Sequence, residues 1–273
     1  MTGEDSPYDV RDFQGLFVAD EYADRVYGAG GTGPATPNVD FQRLKDLALV
    51  FVDPHPGQKI LEIGCGRGAN AVPLGLQGAE VHGQDLDGAA IAKANQHFQH
   101  FGLRGEARAG DATRLLFDND TFDVVLSSDF HEHLTEAQQL AVLGEAHRVL
   151  RPGGKLVIKT PNLAYLKASV WVKRVRAVCR LQDPRGFVVP HTPGTRDPQH
   201  IGLTTRWRMT PQLIAAGFLN YQFKYAPLRR FGVSPALEVM STEIPVVRDV
   251  CCEDLFVIAY KPIALSHFPV SPS

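Results

Sequence analysis

A glycine-rich turn at the end of an apolar strand is the feature that most limits the fold of this chain. Residues 59–63 form a short apolar run, and glycine follows at positions 64, 66 and 68. Glycine adopts positive φ angles at little steric cost and lets a ligand approach the backbone closely. The next residues, 69–76, favour a helix whose first N–H groups would face a polar ligand. The segment therefore predicts a strand–turn–helix unit that binds a nucleotide or a related molecule.

Strands and helices alternate along the chain after this turn. A capping box at Thr135 and Gln138 opens one of the helices, because each residue can satisfy a backbone group of the other. Short strands joined by helices predict right-handed crossovers and a mostly parallel α/β sheet. Strands are predicted at 59–63, 80–84, 106–109, 122–127, 155–159, 219–225 and 254–260, and helices at 69–76, 88–101, 135–150 and 211–216.

Two segments fall outside this alternation. The first, residues 1–57, predicts two helices at 9–27 and 38–52 that would form an N-terminal cap. The second, residues 162–210, contains nine Lys or Arg and two Asp, a local balance of +7 in a chain whose net charge is −2. We expect this basic insertion either to cover a small satellite core or to attract an anionic substrate or an acidic surface. The predicted core is 58–161 with 211–262, and 263–273 is a tail.

Composition excludes several other classes of protein. No apolar run approaches the roughly 18 residues of a membrane span, and the acidic first residues do not resemble a secretory signal peptide. The basic residues of the insertion are not interleaved with aromatic ones, so we do not expect a nucleic-acid partner. The four cysteines, at 65, 179, 251 and 252, lack metal-ligand spacing. We therefore expect a cytoplasmic protein with reduced thiols that acts on a small molecule, with a homodimer as one possible assembly.

Carboxylates cluster at the predicted carboxyl ends of the strands, where open parallel sheets bind their ligands. Asp85 ends the second strand and can accept two hydrogen bonds from a ribose diol. Asp111 follows the third strand, and Glu62 directly precedes the glycine turn. Three carboxylates disfavour a pyrophosphate and favour a ligand with a positive centre.

A dinucleotide site is the main alternative for the turn. Gly64, Gly66 and Ala69 fit a permissive form of the dinucleotide fingerprint, with an acidic residue near the required distance. That interpretation leaves Glu62 and Asp111 unexplained, so we do not favour it.

Five ordered motifs resemble those of class I S-adenosylmethionine-dependent methyltransferases: LEIGCGRG, VHGQDLD, GDAT, FDVVLSS and LRPGGKL. The resemblance is strong over residues 58–160 and weaker over 200–260. It implies a Rossmann-like, seven-stranded, mostly parallel sheet whose last hairpin is antiparallel. It also implies S-adenosylmethionine contacts at the methionine part (Glu62, Gly64, Cys65, Gly66, Gly68), the ribose (Asp85), the adenine (Leu86, Asp111, Ala112) and the amino group (Ser128).

Titratable residues fill the turn after the fourth strand, at Asp129-Phe130-His131-Glu132-His133. One interpretation is structural, with Glu132 and His133 bonding loop backbone. A second makes His131 or His133, with Glu132, the general base that deprotonates a substrate hydroxyl. A third places Mg²⁺ or a similar divalent ion on Asp129, Glu132 and His133.

The pattern Asp-x-x-Glu-His resembles the Glu-x-x-Glu-His segment of ubiquinone-pathway and small-RNA 2′-O-methyltransferases. This resemblance implies a further histidine ligand, for which His200 is the stronger candidate and His191 the weaker. We therefore expect methyl transfer to the hydroxyl of a small molecule that carries phosphate or carboxylate. The alternatives are N- or C-methylation, or a non-methylating protein that uses the bound cofactor for another reaction.

Overall fold

In a computed structural model of the protein, the structure describes residues 47–190, 192–195, 198–226 and 242–263. The predicted helix at 9–27, most of the one at 38–52, His191 and residues 264–273 lie outside these ranges. Residues 47–52 are helical, as predicted for the end of the second N-terminal helix. The division into caps, core and tail stays a prediction.

The described elements follow the predicted order. Their bounds are β1 (Lys59–Ile63), α1 (Ala71–Leu76), β2 (Glu80–Asp85), α2 (Gly88–His100), β3 (Ala107–Ala109), β4 (Phe122–Ser128), a 3₁₀ turn (His131–His133), α3 (Glu136–Val149), β5 (Leu150–Pro161), α4 (Leu163–Cys179), α5 (Arg206–Ala215), β6 (Asn220–Tyr225), α6 (Pro245–Cys251) and β7 (Asp254–Tyr260).

The strands form one seven-stranded sheet in the order β3-β2-β1-β4-β5-β7-β6. β7 pairs antiparallel with both β5 and β6, and the other neighbours pair in parallel. The expected Rossmann-like sheet with an antiparallel last hairpin is confirmed. Because β1, β2, β4 and β5 run in the same direction, their carboxyl ends meet at one edge, where the glycine turn and the 3₁₀ turn both lie.

Helices cover both faces of the sheet, so its central strands are apolar on both sides. Leu61 and Ile63 of β1 face a core that includes Met209 and Leu213 of α5. Ile60, on the opposite face, belongs to a second core with residues of α1 and α2. Side chains alternate along a strand, so Glu62 shares the face of Ile60 and is carried into the interior at the edge of the sheet.

Three elements begin two or more residues away from their predicted starts. α5 begins at Arg206 and not at Pro211, because Thr205 caps the helix by accepting a hydrogen bond from the Arg208 N–H. β5 begins at Leu150 and not at Lys155, because Leu150 already pairs with Phe122 of β4. α1 begins at Ala71 and is only six residues long, so the N–H groups offered to a ligand belong to the glycine turn itself.

The first part of the basic insertion forms the helix α4. The Asn162 Oδ1 caps this helix by accepting a hydrogen bond from the Ala164 N–H (3.1 Å). Leu163, Val170 and Ala177 are its buried face. Among the helices of the described residues, none has the length and apolar character required to cross a bilayer.

Candidate active site

The glycine turn has the conformation that its sequence predicts. Gly64, Gly66 and Gly68 have φ angles of +71°, +50° and +86°, which other residues rarely adopt. Gly64 is constrained a second time, because a Cβ at this position would overlap the ring of Phe130. Residue 64 must therefore be glycine both for its backbone angle and for its closeness to the turn that follows β4.

Asp85 closes the glycine turn from the neighbouring strand. Its Oδ2 accepts a hydrogen bond from the Gly66 N–H (2.9 Å), and its Oδ1 accepts one from the Asp87 N–H (2.9 Å). Each carboxylate oxygen keeps a further lone pair for a ligand. The negative charge is thus fixed in orientation beside the turn, as a ribose-binding carboxylate requires.

The surface proposed for adenine lies next to Asp85. Leu86 is 78% exposed, which is unusual for a leucine directly after a buried strand. Asp111 is exposed, and hydrogen bonds from Thr113 lower the pKa of its carboxyl. Ala112 is buried beneath it. An exposed leucine offers the apolar surface that the face of a purine needs, and the backbone beside Asp111 offers polar groups for its edge.

Gln84 orders this surface, although sequence reasoning did not single it out. Its Nε2 donates to the Asp111 carbonyl (2.8 Å), and its Oε1 accepts from the Leu116 N–H (2.9 Å). The side chain is fully buried. A glutamine near the end of a predicted inner strand was the available clue, because a buried amide must find partners.

We call the glycine turn, together with Asp85 and Asp111, the cofactor cradle. Its end beside Glu62, predicted to bind the methionine part of the cofactor, is polar but buried. The Glu62 Oε1 accepts a hydrogen bond from the Asn70 Nδ2 (2.7 Å), and Ser127 and Ser128 end β4 beside it. Burial, with the charges of Glu62 and Asp85, raises the pKa of the Cys65 thiol. Cys65 therefore stays a neutral thiol and contributes packing and backbone, not a nucleophile.

Glu132 lies in the 3₁₀ turn that follows β4, at the carboxyl edge of the sheet. We call this turn and the segment around His200 the acceptor side, because the methyl acceptor is expected there. Its side chain is 2% exposed, and its Oε2 accepts a hydrogen bond from the Thr160 hydroxyl (2.9 Å). Burial, assisted by the negative charge of Asp129, raises the pKa of Glu132 to about 8. A carboxyl poised near neutral pH at a ligand-binding edge is typical of a functional site.

His133 and His200 lie beside Glu132. Their ring centroids are 5.1 Å apart, and one ligand atom from each of the three side chains lies within 4.8 Å of the others. The His133 Nδ1 is 3.1 Å from the Gln199 carbonyl oxygen. A carbonyl only accepts, so Nδ1 carries the proton and Nε2 is the basic nitrogen of His133.

Two residues proposed for this site from sequence are placed differently. His131 is 1% exposed, and burial lowers its pKa to about 4. This placement does not support a base role for His131, because a buried neutral imidazole is out of reach of a substrate. Asp129 is not part of the Glu132–His133–His200 group, since its Oδ1 is ion-paired with the buried Lys159 Nζ at 2.5 Å.

Lys159 is a charged residue that the sequence analysis missed. Burial lowers its pKa, but the carboxylates of Asp254 and Asp129 outweigh that effect, so the pKa is raised. The ammonium therefore holds Asp129 in place. A lysine at the end of a predicted apolar strand was the available clue.

A backbone contact brings His200 to His133. The Gly202 N–H donates to the Glu132 carbonyl (2.8 Å). The Gln139 Nε2 donates to the carbonyls of both His131 (3.0 Å) and Gly202 (2.7 Å), and its Oε1 accepts from the Gln212 Nε2 (3.1 Å). The 199–204 segment is thus fixed against the 3₁₀ turn.

We predict that Gly202→Ala disrupts this contact. A Cβ at residue 202 would overlap the Leu134 carbonyl, so the segment must shift. We expect a loss of about 1–3 kcal/mol in unfolding free energy, as for overpacked sites. Cross-peaks between the ring protons of His133 and His200 should also disappear from the NMR spectrum.

Gly186→Ala is the matched control, because a Cβ there meets nothing within 4 Å. Calorimetry should show that both variants still bind S-adenosylmethionine, since the residues of the cofactor cradle lie at or just after the ends of β1, β2 and β3 and are not part of either changed segment. Equal thermal stability of the two variants would contradict the close approach at Gly202.

Phe130 joins the two halves of the site. It lies between Asp129 and the 3₁₀ turn, and its ring packs against Gly64 at the start of the glycine turn. Glu132, the first residue of the Glu132–His133–His200 group, is two residues from Phe130 in the chain. The contact therefore links the turn that carries Glu132 and His133 to the glycine turn.

Comparisons with known proteins agree with this geometry. Residues 60–154 match the family described as a methyltransferase domain. A ubiquinone biosynthesis O-methyltransferase of Roseobacter denitrificans is 36% identical over 133 residues, which are 48% of this chain and 53% of that protein. The chain thus spans about half the length of the curated relatives it matches.

Solved structures share the fold at low sequence identity. A SAM-dependent methyltransferase of Archaeoglobus fulgidus has a TM-score of 0.57 and 18% identity over 90% of this chain and 99% of its own. The cyclase SpnF has a TM-score of 0.55 and 20% identity over 81% of each chain. One fold therefore hosts different reactions in these proteins. The resemblance seen in the five sequence motifs is confirmed by these comparisons: residues 60–154 match a methyltransferase-domain family, and the chain shares the Rossmann-like fold of a solved SAM-dependent methyltransferase.

Proposed function

We propose that this protein transfers the methyl group of S-adenosylmethionine to a hydroxyl of a small molecule and releases S-adenosylhomocysteine. The Phe130–Gly64 contact is the observation that carries this proposal, because it packs the turn that contains Glu132 and His133 against the glycine turn proposed to bind the cofactor. Methyl transfer to a hydroxyl requires removal of the hydroxyl proton, and this cluster can accept that proton. The name of the Roseobacter relative supports O-methylation over N- or C-methylation.

In the proposed reaction the protein aligns the acceptor oxygen with the sulfonium methyl carbon and removes the hydroxyl proton. Orientation can supply several kcal/mol, up to roughly 7–11 in ideal intramolecular cases. The His133 Nε2 is the base that the geometry favours, because its Nδ1–H is held by the Gln199 carbonyl. A positioned base adds typically ~10²–10⁴-fold.

A divalent ion on the same cluster is the alternative to a histidine base, because an ion held by His133 would occupy its Nε2. Glu132, His133 and His200 would hold it with two imidazole nitrogens and one carboxylate oxygen. This donor set suits a first-row transition ion better than Mg²⁺, which prefers oxygen ligands. The ion would supply Lewis acidity toward the acceptor hydroxyl.

The test has two stages. Calorimetry with S-adenosylmethionine and S-adenosylhomocysteine should show micromolar binding of both, and binding of neither would refute the cofactor assignment. S-adenosylhomocysteine release is then measured with phenols and catechols, each with and without a carboxylate. Faster turnover of the carboxylate forms would support an anionic acceptor. Release from no hydroxyl acceptor but from amines, or cofactor binding without any turnover, would favour the alternative functions instead.

A further inference from the structure

Asp129 joins β4 to the 3₁₀ turn through a backbone conformation that few residues adopt. Its φ angle is +53°, in the left-handed region, where an aspartate is tolerated better than most side chains but still at a cost. Phe130, which packs against Gly64, comes directly after it, and the 3₁₀ turn follows. Strained residues persist only where the surrounding structure holds them, and they cluster at functional sites. The contacts that hold Asp129 therefore set where the turn lies.

Lys159 holds both the backbone and the side chain of Asp129. Its carbonyl accepts a hydrogen bond from the Asp129 N–H (3.0 Å), and its Nζ donates one to the Asp129 Oδ1 (2.5 Å). The Lys159 side chain is 2% exposed, whereas that of Asp129 is 35% exposed. An ammonium this deeply buried requires a charged partner, so the ion pair fixes the carboxylate at a point set by β5.

Asp254 encloses the ammonium from β7. In the antiparallel pairing of β5 with β7, Lys159 lies opposite Phe256, and Pro161 lies opposite Asp254. Residues two apart on a strand share a face, so Asp254 is a diagonal neighbour of Lys159. Both side chains are almost fully buried, at 4% and 2% exposed. Lys159 is therefore too enclosed to touch a substrate, and any effect that it has on the reaction passes through Asp129.

Thr160, the next residue of β5, holds the other end of the same segment. Neighbouring residues on a strand point to opposite faces of the sheet, so Thr160 approaches the segment from the side opposite to Lys159. Its hydroxyl donates a hydrogen bond to the Glu132 Oε2 (2.9 Å), and both side chains are buried. Two successive residues of one strand thus fasten the start of the segment, at Asp129, and its acidic residue, Glu132.

We propose that Lys159 is a positioning residue for methyl transfer, because its hold on Asp129 sets the orientation of the turn that carries Glu132 and His133. This inference rests on the proposed function. Asp129 and His133 belong to one segment, 129–133, so a change of the φ angle at Asp129 swings the proposed base away from the cofactor. A displacement of about 1 Å can cost ~100-fold in rate. Within the described residues, the polar contacts of Lys159 lead to Asp129 and the neighbouring strands and not to the cofactor cradle, so cofactor affinity should not depend on it.

Lys159→Met tests the proposal, because methionine keeps much of the length of the side chain without its charge. With the acceptor found for the parent enzyme, we expect kcat to fall about 10–100-fold, while calorimetry gives a Kd for S-adenosylmethionine within about threefold of the parent value. Cross-peaks between the ring protons of Phe130 and the Hα protons of Gly64 should weaken in the NMR spectrum, with or without an acceptor. Lys155→Met is the matched control and should keep both the rate and the cross-peaks, since Lys155 lies on the same strand and face but four residues further from the carboxyl edge.

Asp129→Gly is the second variant, because Lys159→Met leaves the carboxyl groups of Asp129 and Asp254 without their cation and can lower stability. Glycine adopts the left-handed angle without strain but cannot pair with Lys159, so the fold should persist while kcat still falls at least about tenfold. Parent-like kcat and cross-peaks in both variants would overturn the proposal. Lower stability with a parent-like kcat would also overturn it, since that result marks a purely structural role. No turnover by the parent would instead refute the proposed function, and the cross-peaks would still decide whether Lys159 holds the turn.

Discussion

Replacing Asp85 by alanine is expected to abolish S-adenosylmethionine binding at micromolar concentrations. The variant loses the carboxylate that would accept the ribose hydroxyls, and each hydrogen bond to a charged group contributes about 1.5–3 kcal/mol. It also removes the acceptor for the Gly66 N–H, so the glycine turn loses its fixed geometry. We expect affinity to fall by about 100-fold or more by calorimetry, since two such bonds are lost.

Asp87→Ala provides the control for this prediction. Asp87 is also an aspartate at the end of β2, but its Oδ1 caps α2 by accepting hydrogen bonds from the N–H groups of Ala89 (2.8 Å) and Ala90 (3.2 Å). Loss of this cap should cost about 1 kcal/mol of stability and leave cofactor affinity within a few-fold. If both variants bind S-adenosylmethionine like the parent, the cofactor does not use the carboxyl end of β2.

Glu132→Gln is expected to reduce turnover by at least about 100-fold and yet to stabilise the protein above pH 8. The pKa of Glu132 in the parent protein is raised in the folded state. The folded protein therefore binds this proton more tightly than the unfolded chain, in which the carboxyl has the ordinary pKa of 4.5. The protonated Glu132 therefore makes its full contribution to the free energy of unfolding below about pH 4.5, and this contribution is lost as the pH rises toward about 8. Glutamine keeps the neutral form at every pH, so the loss disappears.

Asp254→Asn separates the two effects of Glu132→Gln. Burial raises the pKa of Asp254 to about 7. Ionisation of Asp254, like that of Glu132, therefore lowers the free energy of unfolding as the pH rises. Asp254 lies on β7 outside the histidine cluster. Thermal unfolding from pH 5 to pH 9 should show a reduced pH slope in both variants, whereas turnover should fall markedly only in Glu132→Gln. An unchanged slope in Glu132→Gln would show that this carboxyl is ionised throughout.

The sequence predicts the cofactor side of the site well because that side depends on local rules. A strand end, a glycine turn and a carboxylate at the next strand end are all read from short segments, and parallel strands place them together. β7 matches its predicted bounds at Asp254–Tyr260, since the six apolar-rich residues after the pair Glu253–Asp254 leave little ambiguity.

The acceptor side is less predictable because long-range contacts build it. The bond from Gln139 to the Gly202 carbonyl spans 63 residues, and no local pattern marks either partner. The ion pair between Lys159 and Asp129 spans 30 residues, and it removes from the cluster a carboxylate that the motif alone includes. Residues that act through distant backbone carbonyls have no spacing rule, so only the folded chain shows them.

The contact between Phe130 and Gly64 has a consequence for protein engineering. Substitutions at residue 130 intended to change acceptor choice also alter the wall of the cofactor cradle, so the two specificities are not independent. A smaller residue at 130 would create the space that a Cβ at residue 64 needs, although the positive φ would remain strained. Across homologous sequences, any residue other than glycine at position 64 should therefore coincide with a side chain smaller than phenylalanine at position 130.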